Sequence, residues 1–269
     1  MNENTYFEGV ASYRLLAKKE VGQNFLIDSS FAKRIVDALE AKEGERVLEI
    51  GCGAGSLSFF LAQGPAKTDT IDIDEAMITK VSTDFAGSEY LNPFIGNAMK
   101  FDYKPYDKII GNLPYYITSG IIEQVLLKAA KATRCVFMVQ KEAAERLLSK
   151  PGTKDYSPLS IYISVVSSAR KLFNVPRNAF APAPHVDSTV IELEFNSVHG
   201  EKAAKMYRFA SAMFLQRRKT ILNNLKNYLH SGEKAAEILE KMGIPATYRP
   251  EQILPEQYWQ FIESGLLDR

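Results

Sequence analysis

The string Asn112-Leu-Pro-Tyr115 contains residue types that could activate an exocyclic amine. The amine of adenine is a poor nucleophile because its lone pair is delocalised into the ring, and methylation needs that lone pair localised. The Asn112 side-chain oxygen and the Leu113 carbonyl could localise it by accepting hydrogen bonds from the amine. Pro114 restricts the residue before it to extended geometry, and Tyr115 offers an aromatic face to an extruded base. Such chemistry depends on positioning and fixed dipoles, so no metal ion is expected.

A glycine-rich turn, Gly51-Cys-Gly-Ala-Gly55, follows a short apolar segment that contains Glu49. Glycines let the backbone approach a ligand closely and adopt positive φ. The spacing G-x-G-x-G differs from the G-x-G-x-x-G of dinucleotide sites, which argues against a nicotinamide dehydrogenase. About twenty residues later Asp72 ends the next apolar segment, where an acid can accept hydrogen bonds from both ribose hydroxyls. Together these residues predict a nucleoside site without a pyrophosphate.

Asn97 follows the third apolar segment, Pro93-Phe-Ile95. Its amide could accept a hydrogen bond from an adenine amino group and donate one to a ring nitrogen. For a single asparagine after a glycine, the alternative is a residue that only stabilises a turn.

The elements that must position these residues alternate between strands and helices. Strands are predicted at residues 46–50, 70–74, 93–95, 107–111 and 135–139, and helices from Asp28 or Ser29, from Ser56 or Leu57, at 76–85 and at 119–130. This order predicts βαβ units and a mostly parallel sheet, which binds ligands at the carboxyl ends of its strands. Residues 172–175 and 188–195 alternate like antiparallel strands that close one side of the sheet.

Beyond residues 196–200 the pattern is purely helical. Helices are predicted at about 202–215, 218–230, 233–242 and 255–264. We therefore expect an α/β, Rossmann-like domain over residues 1–198 and a small helical domain over residues 199–269. From Lys202 to His230 there are seven basic residues and no acid, a block that attracts phosphate. A solvated helix face is the alternative interpretation.

The composition is that of a folded protein with a sizeable core. The chain has 269 residues, 46% of them hydrophobic, and a formal net charge of +1. Two cysteines suit a reducing cytoplasm and predict neither a disulfide framework nor a metal cluster. The sequence predicts no cleaved signal peptide and no membrane span, and nothing in it suggests more than a monomer.

Several long strings make the sequence similar to the KsgA (RsmA) family of ribosomal RNA adenine dimethyltransferases. Besides the glycine turn they are Gly22-Gln-Asn-Phe-Leu26, Asn112-Leu-Pro-Tyr-Tyr116, Gln140-Lys-Glu142, Asn178-Ala-Phe180 with Pro182 and Pro184, Val186-Asp-Ser188 and Arg217-Arg-Lys-Thr-Ile-Leu-Asn-Asn-Leu225. The resemblance implies an S-adenosylmethionine-dependent enzyme that adds two methyls to each of two adjacent adenosines. These adenosines would lie near the 3′ end of small-subunit (16S) rRNA and would be modified late in subunit assembly.

The resemblance also implies roles for individual residues. The S-adenosylmethionine pocket would be formed by Gln23, Asn24, Leu26, Glu49, Gly51, Gly53, Asp72, Asn97 and Asn112. The catalytic group would be Asn112, Leu113, Pro114 and Tyr115, and the target base would meet Tyr115, Tyr116 and Phe180. The helical domain would grip rRNA, the expected partner, through Arg217, Arg218 and Lys219.

Two departures from the family pattern and two alternatives remain. Asn97 stands where the family usually has an acid, which would weaken contact with the cofactor's adenine, and Cys52 replaces a frequent proline. The related Erm class methylates large-subunit rRNA, but Val186-Asp-Ser188 and the long C-terminal domain favour the KsgA family. The other alternative is a non-catalytic ribosome assembly or transcription factor. Intact Asp72 and Asn112 argue against it, whereas Asn97 keeps it open.

Overall fold

The chain divides into two compact units. The computed structural model describes residues 2–16, 23–198 and 200–267. One unit, the sheet unit, consists of residues 1–144 and 170–194, and the other, the helical unit, of residues 145–169 and 195–269. Gly22 of the first family-like string and His199 at the predicted domain boundary lie outside the described residues.

Up to residue 147 most strands are followed by a helix. The strands are β1 (Phe25–Leu26), β2 (Arg46–Ile50), β3 (Lys67–Asp72), β4 (Leu91–Ile95), β5 (Lys108–Asn112), β6 (Arg134–Gln140), β7 (Ser167–Val175), β8 (Phe180–Ala181) and β9 (Ser188–Phe195). The helices here are α1 (Glu3–Ser12), α2 (Ser29–Leu39), α3 (Ser58–Leu61), α4 (Glu75–Asp84), α5 (Thr118–Lys128), α6 (Lys141–Leu147) and α7 (Pro158–Val166).

The main sheet has the strand order β4-β3-β2-β5-β6-β9-β7. Strands β4, β3, β2, β5 and β6 are parallel, and β9 runs antiparallel to β6. From β2 the chain builds outward to β4 and then crosses back to place β5 on the other side of β2. Ligands of open α/β sheets bind at such a reversal, beyond the carboxyl ends of the strands. The glycine turn follows β2 and Asn112 ends β5, so both lie at the reversal.

Burial and capping explain the central elements. Residues 135–139 of β6 are all buried, as expected for a strand covered on both faces. Helix α2 packs against β5 and β6, and α4 packs against β3 and β4. Asp28 caps α2 by accepting hydrogen bonds from the backbone of Ser30 and Phe31, and Asp74 caps α4 by accepting one from Ala76.

The helical unit contains the C-terminal helices α8 (Glu201–Phe214), α9 (Ile221–Leu229), α10 (Gly232–Lys241) and α11 (Pro255–Glu263). The helical unit also includes α7, whereas residues 145–169 were predicted to belong to the first domain. Helix α7 packs against α8, where the rings of Tyr162 and Tyr207 stack 5.0 Å apart. Phe209 meets Phe261 across the α8–α11 contact at 5.0 Å. These aromatic contacts join segments that are distant in sequence.

The predicted α/β class and the antiparallel strand at 188–195 are confirmed. The second predicted strand is shifted, since β3 begins at Lys67 and ends at Asp72. Asp74 therefore belongs to the cap of α4 and not to the strand. The helix expected after the glycine turn has only the four residues of α3. Helix α1 was not predicted.

Candidate active site

An open cavity lies at the reversal point of the sheet. It encloses about 780 Å³ of empty space, part of it open to solvent. The predicted residues that line it are Gln23, Asn24, Leu26, Glu49, Gly51, Gly53, Asp72, Asn112, Leu113, Pro114, Tyr115 and Tyr116. The tertiary structure thus brings together four segments that are far apart in sequence.

The glycine turn is held by the neighbouring strand β3. Gly51 N donates to Ile71 O at 2.8 Å, and Gly53 N donates to Asp72 Oδ2 at 3.0 Å. Gly51 and Gly53 have φ values of 76° and 48°, in the region that favours glycine. Asp72 Oδ1 also accepts from Asp74 N at 2.9 Å, and burial raises the pKa of Asp72. The Asp72 carboxylate is therefore fixed at the edge of the cavity, and its oxygens retain lone pairs for a ligand.

Glu49 is a fully buried acid in the wall of the cavity. Its Oε2 accepts hydrogen bonds from Ser58 Oγ at 2.6 Å and from Thr70 Oγ1 at 2.5 Å. Its Oε1 is buried and has no hydrogen-bond partner among the described residues. Burial raises the pKa of Glu49 to about 7. Because an unpaired buried acceptor is costly, this oxygen suits a ligand group that donates a hydrogen bond or carries positive charge.

Asn112 ends β5 directly beside the glycine turn. A Cβ built on Gly51 would lie 3.6 Å from Asn112 O. The Asn112 side chain donates from Nδ2 to Asn24 O at 3.4 Å. The amide nitrogen is thereby directed towards the N-terminal segment, and Oδ1 remains available as an acceptor.

The remaining residues of the tetrapeptide are held by local hydrogen bonds. Leu113 is buried, and its N donates to Met138 O at 3.0 Å. Pro114 O accepts from Ile117 N at 3.2 Å and from Thr118 Oγ1 at 3.0 Å, so it is engaged at the start of α5. The Pro114 carbonyl is thus already occupied by α5, and the predicted acceptor role of the Leu113 carbonyl stays a prediction.

Tyr115 lines the cavity and is tied to β9. Its hydroxyl lies 2.8 Å from Ser188 Oγ, and Ser188 is fully buried. Burial raises the pKa of Tyr115, so the phenol stays neutral. The next residue, Tyr116, also lines the cavity and is 60% exposed. One tyrosine ring is therefore held in place while the other faces solvent.

The segment at 23–26 forms the other wall. Gln23 Nε2 donates to Asp74 Oδ2 at 3.1 Å, and Leu26 O accepts from Ser56 Oγ at 2.6 Å. Strand β1 pairs with β8, with Leu26 opposite Phe180. Residues 23–26 are therefore held in place by Asp74, by Ser56 and by strand β8.

Asn97 is not among the residues that line the cavity. It is exposed, and its Oδ1 accepts from Met99 N at 2.9 Å to cap the short 3-10 helix Ala98–Lys100. In this arrangement the side chain stabilises a turn, which is the alternative that the sequence left open. The predicted contact with the cofactor's adenine stays a prediction.

Phe180 is likewise not brought to the cavity. Its side chain is 3% exposed and packs in the apolar core of the sheet unit. The place beside the target base that the resemblance implies for it stays a prediction. The physical reason for its burial is that a large apolar side chain on a short strand next to the core gains free energy when it is removed from water.

The three basic residues of the α8–α9 connection differ from one another. Arg217 donates to Glu251 Oε2 at 2.5 Å and to the carbonyls of Lys154 and Thr153 at 2.6 and 3.1 Å. Its guanidinium thus crosslinks segments of the helical unit, which its predicted RNA contact did not anticipate. Arg218 and Lys219 are exposed. The part of the chain that the structure describes contains no ion pair to either of these two.

Several functional candidates were missed from the sequence. Ser188 belongs to a family-like string but received no role, and its bond to Tyr115 depends on tertiary contact. The further cavity residues are Phe25, Cys52, Ala54, Ser56, Leu57 and Ile73. Their proximity to Glu49, Gly51 and Asp72 in sequence is the signal that could have found most of them.

Comparison with known proteins shows the family of this chain. The sequence model of the family described as ribosomal RNA adenine dimethylase matches residues 14–264. The chain belongs to the ribosomal RNA adenine dimethylase family. Ribosomal RNA small subunit methyltransferase A of Malacoplasma penetrans is 38% identical, over 95% of this chain and 94% of that protein. The protein of the same name from Pseudomonas fluorescens is 36% identical, over 90% of both chains.

Solved structures show the same fold. A dimethyladenosine transferase from Plasmodium falciparum superposes with a TM-score of 0.76 and 27% identity, over 88% of this chain and 96% of that one. The 23S rRNA methyltransferase ErmE is similar in fold, with a TM-score of 0.69 and 23% identity, over 91% of this chain and all of that one. Membership of this family makes the chain a methyltransferase of the Rossmann-like class. Within the described residues, no helix is both long enough and apolar enough to cross a membrane.

Proposed function

We propose that this protein transfers methyl groups from S-adenosylmethionine to the N6 amine of adenosines in small-subunit (16S) rRNA, two on each of two adjacent residues. The main observation in support is that Asn112 lines the same cavity as the glycine turn and Asp72, with its amide oriented by Asn24. The relatives named above are small-subunit rRNA methyltransferases, and the family is that of adenine dimethylases.

The cavity residues fit S-adenosylmethionine. When bound, this cofactor supplies an electrophilic methyl on a positively charged sulfonium. Glu49 Oε1, buried and unpaired within the described residues, suits the positive end of such a ligand. Asp72 suits a ribose, and the positive φ values of Gly51 and Gly53 bring the backbone close to the ligand. A pyrophosphate at the glycine turn would instead lie beside the buried carboxyl of Glu49, so a dinucleotide fits poorly.

The tetrapeptide would activate the adenine amine. In the first transfer Asn112 Oδ1 and Leu113 O would each accept a hydrogen bond from the amine, and in the second transfer one of them would accept from the single remaining N–H, which localises the nitrogen lone pair for attack. Tyr115, held through Ser188, would stack on the base that has been turned out of the RNA. Leu113 and Leu26, which are buried and line the cavity, would pack against the bound ligands. After transfer the amine nitrogen would lose a proton to solvent, so no strong base is needed.

The RNA backbone would meet the exposed basic residues of the helical unit. Arg218 and Lys219 are exposed on the α8–α9 connection, and Lys202 and Arg208 are exposed on α8. Phosphate attracts such a surface regardless of base sequence. We therefore assign these residues to affinity and the sheet-unit cavity to chemistry.

The test is transfer of labelled methyl from S-adenosylmethionine to small ribosomal subunits that lack the modification. Nuclease digestion then identifies the product nucleoside. We expect dimethyladenosine with the wild type and almost none with Asn112→Ala. Asn92→Ala is the matched control, because Asn92 lies on β4, bonds Asp69 and does not line the cavity.

Each outcome decides between the candidate functions. Dimethyladenosine from small subunits supports the proposal. Label found only in large-subunit RNA would show that the protein has the Erm-type activity instead. RNA binding without methyl transfer to either subunit would favour a non-catalytic assembly factor.

A further inference from the structure

Helix α1 contacts the glycine turn although none of its residues lines the cavity. The Tyr6 hydroxyl donates to Gly55 O at 3.2 Å and to Ala54 O at 3.3 Å. Ala54 is itself part of the cavity wall. Tyr6 therefore does not line the cavity itself, but it contacts the backbone of a residue that does.

The third glycine of the turn is explained by this contact. Gly55 has a φ of 92°, and a Cβ built there would lie 2.2 Å from the Tyr6 hydroxyl oxygen. That separation is far below any normal contact between non-bonded atoms. Glycine is therefore required at position 55, because any side chain there would overlap the Tyr6 hydroxyl.

Aromatic packing fixes α1 against the sheet unit. The Tyr6 ring stacks on Phe59 with centroids 4.7 Å apart, and Phe7 meets Phe59 edge-on at 5.8 Å. The Lys80 ammonium lies 4.8 Å from the centre of the Tyr6 ring and pairs with Asp84. Since Tyr6 and Phe7 are buried, the helix is a packed part of the unit.

The same N-terminal segment contacts the cavity a second time. Beyond α1 the chain reaches Gln23, which donates to Asp74, and Leu26, whose carbonyl accepts from Ser56. Tyr6 and residues 23–26 therefore both contact the region of the glycine turn. A change in the docking of α1 would alter the turn directly through Tyr6.

We propose that α1 is part of the cofactor site, with Tyr6 as a positioning residue that holds the glycine turn in the conformation that binds S-adenosylmethionine. This inference rests on the cofactor assigned under the proposed function. If docking of α1 favours cofactor binding, then binding must favour docking of α1 by the same factor, because coupling is reciprocal.

The first test is Tyr6→Phe, which removes the hydroxyl and keeps the ring. We expect the Kd for S-adenosylmethionine, measured by calorimetry, to rise on the order of threefold to tenfold, as for loss of one hydrogen bond. The KM for the cofactor should rise similarly, while kcat at saturating cofactor stays unchanged. The matched control is Tyr258→Phe, which loses a buried phenol bond to Pro250 O in the helical unit.

The control separates positioning from general stability. Both variants should lower the Tm, but only Tyr6→Phe should weaken cofactor binding. A Tyr6→Phe variant that loses stability and keeps the wild-type Kd would overturn the inference.

A second measurement needs no variant and covers the case in which Tyr6→Phe does not fold. Hydrogen exchange of the wild type is followed with and without S-adenosylmethionine. Cofactor should slow exchange in residues 6–12 of α1, with α10 of the helical unit as the reference. Unchanged exchange in α1 upon binding would contradict the coupling. Absence of any cofactor binding by the wild type would instead overturn the cofactor assignment, and this inference with it.

Discussion

The Asn112 side-chain nitrogen donates to Asn24 O at 3.4 Å, and this single contact orients the amide that ends β5. An amide turned the other way would place its oxygen against a carbonyl. Oδ1 of Asn112 is therefore directed away from Asn24 as an acceptor. The position of this acceptor therefore depends both on residues 23–26, which form one wall of the cavity, and on the tetrapeptide.

Asn112→Ala should reduce kcat on the order of 100-fold, the usual cost of removing one preorganised dipole from a reacting centre. RNA affinity should change less than twofold, since the residue carries no charge and does not lie among the basic residues. Single-turnover methylation and filter binding at fixed salt measure the two effects. Equal losses in rate and in affinity would remove Asn112 from the chemistry.

Tyr115 should act through its ring more than through its hydroxyl. Tyr115→Ala should lower kcat/KM for RNA by about ten- to 100-fold, because base–aromatic stacking contributes about 1–3 kcal/mol. Tyr115→Phe keeps the ring and loses only the bond to Ser188, so a much smaller loss is expected. Ser188→Ala should resemble Tyr115→Phe. If Tyr115→Phe were as damaging as Tyr115→Ala, stacking would not be the role of the ring.

Cofactor affinity should depend on pH near neutrality because of Glu49. Burial raises its pKa to about 7, so without ligand the carboxyl is protonated below that pH and ionised above it. A cationic cofactor prefers the ionised form, and affinity should therefore rise as pH increases through about 7 and then level off. Glu49→Gln should bind more weakly at pH 8 and lose this dependence. The Kd between pH 6 and 8 is the measurement, and an unchanged pH profile in Glu49→Gln would remove Glu49 as the cause of the pH dependence.

Arg217 and Arg218 should separate stability from RNA binding. Arg217→Ala removes the bonds to Glu251 and to two carbonyls and should lower the Tm by roughly 3–8 °C. Arg218→Ala should leave the Tm unchanged and reduce by about one the slope of log affinity against log salt. Thermal melts and salt titrations of RNA binding test both. A wild-type salt slope in Arg218→Ala would exclude a phosphate contact.

The strings that contain the predicted site residues could be recognised because each depends only on the strand or turn in which it lies. A glycine turn after a strand, an acid at the next strand end and Asn112-Leu-Pro-Tyr115 at the fourth all follow from strand periodicity and turn chemistry. Parallel strands place their carboxyl ends at one edge, so their convergence was also predictable. The contact between Asn24 and Asn112 joins residues 88 positions apart, and no local pattern encodes it.

Burial and pairing of distant side chains were decided only by the tertiary structure. The resemblance implies that Phe180 flanks the target base and that Arg217 contacts rRNA, and both roles stay predictions. The sequence did not indicate that Phe180 packs in the core or that Arg217 crosslinks the helical unit. Residues 145–169 joined the helical unit because α7 packs on α8. The sequence by itself determined the α/β class, the order of the strands along the chain and the residue types at their ends, since these depend on local periodicity. The tertiary structure decided which of those residues face the cavity and that Tyr6 contacts the glycine turn, since both depend on packing between segments far apart in the chain.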